Sequence, residues 1–141
     1  MSNDTTELSL ASLEIATLEA CVELMFLAAY ADGHVDPKER AIFEAHVRKA
    51  TAGQLSPDLI QAVLHQIEGT IREADREKAL LSISERLMAM RTRRGALALA
   101  AAVAAADGEL RHDERTFLER AGEAFGLAKD EVLAVLAGAS A

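Results

Sequence analysis

Little in this chain supplies covalent chemistry or rigid punctuation. Cys21 is the single cysteine among 141 residues. No intrachain disulfide can form, and a reducing compartment, the cytoplasm, is the expected location. Cys21 lies in an apolar stretch and reads as an inert core thiol. Tryptophan is absent and there are only one tyrosine and four phenylalanines, so the core must be mainly aliphatic. Positive charge is the scarcer sign: 15 Lys and Arg stand against 23 Asp and Glu, a net charge of −8. That balance excludes a general nucleic-acid binder and an anionic-membrane binder, which need basic surfaces. It fits partners that are cations or basic protein surfaces. No apolar run reaches the ~20 residues that cross a bilayer. The longest, 20–31 and 95–106, are about half that length, and the first contains Glu23, so direct membrane insertion is not expected. Residues 1–12 are polar and carry no basic segment before an apolar one, so they read as a loose tail rather than a signal peptide. Ser-His-Asp spacing, a nucleotide-binding glycine loop and a Cys-x-x-Cys pair are all missing.

What the chain does have, it states twice. Ala31-Asp32-Gly33-His34-Val35-Asp36-Pro37-Lys38-Glu39-Arg40 returns 75 positions later as Ala106-Asp107-Gly108-Glu109-Leu110-Arg111-His112-Asp113-Glu114-Arg115. Each copy follows an alanine-rich apolar run and leads into a charged amphipathic one. The shared core is Ala-Asp-Gly-x-aliphatic-x-x-x-Glu-Arg. A duplicated acidic turn between helices points to an internal two-fold with the turns as its working surface.

Half of the residues are apolar, led by alanine and leucine, which favours helix. A first helix is expected over 12–31, with Leu18, Cys21, Val22, Met25 and Ala29 on one face. Asp36-Pro37-Lys38-Glu39 starts a second: the aspartate accepts from free amides, proline fits the first turn, and Glu39 completes a capping box. Ile42, Phe43, Val47 and Ala50 form its inward stripe, and Gly53 stops it. Ser56-Pro57 starts a third, which ends near Gly69. A fourth spans 74–91 with Leu80, Ile83, Leu87 and Met90 inward, its tail Arg91-Thr92-Arg93-Arg94 placed where the helix dipole favours cations. Helices at 94–106, 112–125 and 129–136 then repeat the first three. No period-two strand pattern occurs. The expectation is an all-α domain over 13–138, about seven helices, built of two repeated three-helix units joined by a bridging helix.

Asp32, Glu39, Asp107 and Glu114 carry the candidate chemistry. In each copy the Asp-Gly reversal folds the second helix back on the first, so both carboxylates of a copy converge, and a pseudo-two-fold brings the two pairs face to face. Four carboxylates in one place repel unless a cation or an arginine sits among them. A divalent cation (Ca, Mg, Mn or Zn) is the natural resident. The spacing overlaps the second half of an EF-hand loop, but Ala28 and Tyr30, and Val103 and Ala105, stand where the first ligands belong, so that assignment fails. The plain structural alternative is that the turns are helix caps and that Arg40 and Arg115 neutralise the acids. Glu44 and Glu119 read as solvated faces or arginine partners. His34, His46, His65 and His112 lack ligand spacing with one another. Arg86, Arg91, Arg93 and Arg94 read as a helix end and linker.

The doubled signature after alanine-rich helices resembles the tellurite-resistance TerB-like domain, a helical type related to the N-terminal module of DjlA-like co-chaperones. The resemblance covers residues 13–138. It implies a repeat-derived helical fold and a stress-response module that binds ions or protein partners rather than an enzyme, with the family's acidic signature on Asp32, Glu39, Asp107 and Glu114. The second copy departs from the first: Arg111 replaces Asp36 and His112 replaces Pro37, which predicts a poorer cap and an asymmetric site. Two other classes compete. One is a purely structural protein-interaction domain; the other, least favoured because no general base or oxyanion donor can be named, is a metal-dependent hydrolase.

Overall fold

A computed structural model describes residues 14–30, 37–68, 76–106, 108 and 110–140. Those residues form seven helices and no strand: α1 (Ile15–Ala29), α2 (Pro37–Ala50), α3 (Pro57–Glu68), α4 (Arg76–Arg86), α5 (Met90–Ala104), α6 (His112–Ala124) and α7 (Lys129–Ser140). The all-α expectation and the helix count hold.

The architecture follows from where apolar side chains wrap a whole helix rather than one face. In α1, Ala20, Cys21, Val22 and the run from Leu24 to Ala28 are all buried, so α1 is a central helix with other elements on every side. Its most extensive neighbour is α5. Gly95, Ala96, Ala100, Ala101 and Ala104 keep α5 slim where it is buried, and small side chains let two central helices approach closely. The outer helices need only one apolar stripe each. Phe43 and Val47 supply it in α2, Leu80 and Ile83 in α4, Phe117, Leu118 and Ala121 in α6. Helices α2 and α3 pack on α1 and on each other; α6 and α7 pack on α5 and on each other. Cross contacts run from α2 to α5 and from α6 to α1, and α4 rests on α1 and α6. Burying each large aliphatic or aromatic side chain of this core contributes about 1.5–3 kcal/mol.

Helix ends largely obey local chemistry. Ser56 Oγ accepts from the Leu59 amide at 3.2 Å and caps α3. Gly53 (φ 75°) closes α2, donating to the Arg48 carbonyl at 2.8 Å. Gly126 (φ 79°) closes α6; both take the left-handed conformation that a Cβ disfavours.

Several expectations need correction. The helix expected over 74–91 ends at Arg86, and α5 begins at Met90. The Arg91–Arg94 cluster therefore opens α5 instead of closing α4, at the end of the dipole that disfavours cations. Tertiary hydrogen bonds override the dipole there. Arg93 donates to the carbonyls of Leu87 (2.6 Å), Ser84 (2.9 Å) and Phe125 (3.0 Å). One guanidinium thus satisfies orphan carbonyls at the ends of both α4 and α6. Met90, assigned to a core stripe, is 42 % exposed, and Ile42 is 48 % exposed. Helix α1 starts at Ile15 and stops at Ala29, and α7 runs on to Ser140. The first-copy turn, residues 31–36, and Asp107 of the second lie outside the described residues.

Candidate functional site

Two of the four signature residues, Glu39 and Glu114, line one cleft. A cleft of about 280 Å³ lies where the ends of α1 and α5 approach the starts of α2 and α6. Ala29 and Tyr30 line it from α1, Glu39, Ile42 and His46 from α2, Val103 and Ala104 from α5, and Arg111, Asp113 and Glu114 from the start of α6. Glu39 and Glu114 are the matched glutamates of the two copies, so equivalent positions of the repeat face one space. Asp32 and Asp107 lie outside the described residues.

The two glutamates are held differently. Glu39 sits in the first turn of α2 and is exposed. Its backbone carbonyl accepts from the Tyr30 hydroxyl at 2.9 Å. Tyr30 packs on Phe26 and Phe43, and these two rings meet edge to face with centroids 5.5 Å apart. The aromatic group fixes the start of α2 to the end of α1. Arg76, opening α4, donates to the Tyr30 carbonyl at 3.3 Å. Glu114, by contrast, is 8 % exposed. Its Oε1 accepts from the Arg111 amide at 2.8 Å, the glutamate arm of a capping box. The cap expected to be poor in the second copy is thus half intact. Arg111 brings no side-chain acceptor, but Glu114 reaches back unaided.

Sequence reasoning missed His46 and Asp113. Glu39, Ile42 and His46 follow one another at three- and four-residue steps, the spacing of one helix face. That spacing was the available signal for His46. Asp113 becomes visible only when α2 and α6 are brought together. No three His, Cys, Asp or Glu side chains among the described residues are grouped as a metal ion needs. The cleft mixes charge: three carboxylates face it together with Arg111 and His46, and its walls at Ile42, Val103 and Ala104 are apolar.

The remaining candidates resolve into structure. Arg86 grips Glu23 with two hydrogen bonds, 2.7 and 2.8 Å. The one charge within the first apolar run is therefore matched, and that hydrogen bonding raises the Arg86 pKa further above its ordinary range. Arg94 pairs with Glu131 at 2.6 Å. Arg115 approaches Glu119 at 3.8 Å, and Glu44 accepts from Gln61. Burial pushes the Cys21 thiol up to about 12, so it carries no thiolate at neutral pH.

A family model described as Tellurite resistance protein TerB matches residues 18–136. No curated protein and no solved structure matches the chain. No described helix is long and apolar enough to cross a membrane.

Proposed function

The chain belongs to the tellurite resistance TerB family, and from that premise we propose that it is a non-enzymatic cytoplasmic stress-response module working through the cleft between α2 and α6. The observation that carries this reading is the shared cleft: Glu39 and Glu114, seven residues after the aspartate in each signature, line one space. In the sequence Asp32 and Asp107 follow the lining residues Tyr30 and Ala104 by two and three residues. The two halves act as a pseudo-two-fold pair, a reading supported by the matching packing of α1 with α2 and α3 and of α5 with α6 and α7. The occupant is a divalent cation, or in its place a basic side chain from a protein partner. Tellurite itself is an anion and is a poor fit for a carboxylate-lined cleft.

A specific observation favours a second reading, a structural interaction domain with no ion. Glu114 already serves the Arg111 amide as a cap, and caps alone explain repeated acids at helix starts.

One experiment separates the two. Thermal unfolding is followed while Ca²⁺, Mg²⁺, Mn²⁺ and Zn²⁺ are titrated into the wild type and into Asp32→Asn/Asp107→Asn. An ion held by the native state at 100 times its Kd stabilises by about 2.7 kcal/mol, and the double variant loses that gain. Unchanged melting with every ion removes the cation as the occupant of the cleft.

A further inference from the structure

A second recess lies on the other stretch of α6, about 8–13 Å along the helix from Glu114. It is a groove of about 460 Å³ between α6 and α7. Leu127 and Val132 form its floor, Glu119 and Glu123 one rim, and Lys129 and Leu133 the other. Leu133 is 43 % exposed although large and apolar. The groove is built rather than accidental. Beneath it Gly122 removes the side chain that would collide with Val132: a Cβ there would stand 2.4 Å from Val132 Cγ2. Helices α6 and α7 therefore pack closely beneath the groove.

We infer that this groove docks an amphipathic helix of a partner protein, with a leucine-, methionine- or phenylalanine-type side chain over Leu127, Val132 and Leu133 and a Lys or Arg pair facing Glu119 and Glu123. Charge complementarity selects that occupant: two glutamates stand against the single Lys129 in the lining. Glu119 and Glu123 are both exposed and one helical turn apart, the spacing at which an i, i+4 pair of basic residues meets them. Glu119 has only a 3.8 Å contact with Arg115, and the Glu123 carboxylate has no ion pair with another described residue. Against a chain of net charge −8, the approach of a basic segment is favoured and that of an acidic one opposed. This surface is distinct from the cleft and stands or falls without it.

The test uses the full chain, isotope-labelled, and two short synthetic peptides. One is a Leu-Ala-Lys amphipathic helix with lysines along the edge of its leucine face; the other is its twin with Glu for every Lys. Amide shifts on adding the lysine peptide should concentrate on residues 119–133. Glu119→Lys/Glu123→Lys should weaken that peptide by about tenfold or more and admit the glutamate twin. Leu133→Ser should weaken the lysine peptide without changing its charge preference. All three positions are exposed, and far-UV circular dichroism checks that the variants fold. Shifts spread over the other acidic faces, equal affinity for the two peptides, or self-association of the chain through this face would each overturn the assignment.

Discussion

Around the first turn the packing is aromatic and the signature glutamate exposed; around the second the packing is alanine and the glutamate buried. Tyr30, Phe26 and Phe43 pack together where the end of α1 meets α2, whereas their matched positions are Ala105, Ala101 and Leu118. The first half therefore ties the end of α1 to α2 with ring contacts and the Tyr30 hydroxyl. The second half is secured by close approach and by charge: Gly122 against Val132, Arg93 on carbonyls of two helix ends, Arg94 on Glu131. The same ten-residue signature thus sits on two different supports. Keeping Glu39 and Glu114 on one cleft does not require the halves to be alike in their cores. Exchanging matched residues between halves is the direct way to break or sharpen that contrast.

Arg93→Leu is the exchange with the largest expected effect, because Leu18 holds the matched position in the first half. The substitution strips donors from Ser84, Leu87 and Phe125 at once. Each bond from a charged donor is worth ~1.5–3 kcal/mol, but carbonyls at helix ends regain water. The expected loss is about 3 kcal/mol, or roughly 10 °C in Tm for a chain of this size. Arg91→Ala is the control. Arg91 is exposed and should change stability by no more than about 0.5 kcal/mol. Equal effects at the two arginines would mean that the carbonyl clamp contributes nothing.

Gly122→Val comes next, importing Val47 from the matched position of α2. The added atoms enter space that Val132 fills. Overpacking costs about 1–3 kcal/mol, only partly offset by the better helix propensity of valine over glycine. Denaturant unfolding measures the loss, and Val132→Ala in the same chain should recover part of it. The reverse import, Phe43→Leu, removes ring contacts with Phe26 and Tyr30 and should cost about 1 kcal/mol. A larger loss from Phe43→Leu than from Gly122→Val would reverse the contrast, making the aromatic side the tighter one.

Periodicity and punctuation made most of the fold legible. Gly53, Ser56 and Gly126 marked helix ends that the structure keeps. The break between α4 and α5 was not legible, for a physical reason. Leu80, Ile83 and Leu87 are all buried at helical spacing, and nothing local announces that the chain leaves the helix at Leu87. At the break Arg93 holds the Leu87 and Ser84 carbonyls together with that of Phe125, 32 residues away just past α6, a partner that no local window of sequence contains. Of the cleft, the repeat exposed Glu39 and Glu114, because duplication marks equivalent positions. His46 and Asp113 required knowing which two helices face each other. Ile42 shows the same limit: its apolar character placed it in the core, but it borders the cleft.

The smallest effect tests how α7 is tied down. Aligned at 72 residues, Leu55–Leu64 with Leu127–Leu136, the second half carries Glu131 where α3 has Leu59, so an apolar contact is replaced by a polar one. Glu131 accepts from the Ala128 amide at 3.1 Å and from Arg94. The amide bond first, and then the guanidinium, hold its carboxyl below the ordinary 4.5. A carboxyl depressed in the folded state favours folding while ionised. Its contribution is complete above the unfolded pKa and is lost as the pH falls through the lower folded value. Stability measured from pH 6 down to acid should therefore fall less steeply below about pH 4.5 in Glu131→Gln than in the wild type. Leu59→Ala in the first half should lower stability by the same amount at every pH, since no proton is linked to that contact. If Glu131→Gln instead leaves the acid slope unchanged, the ties on α3 and α7 are equivalent in kind, and the polar tether of the second half carries no stability of its own.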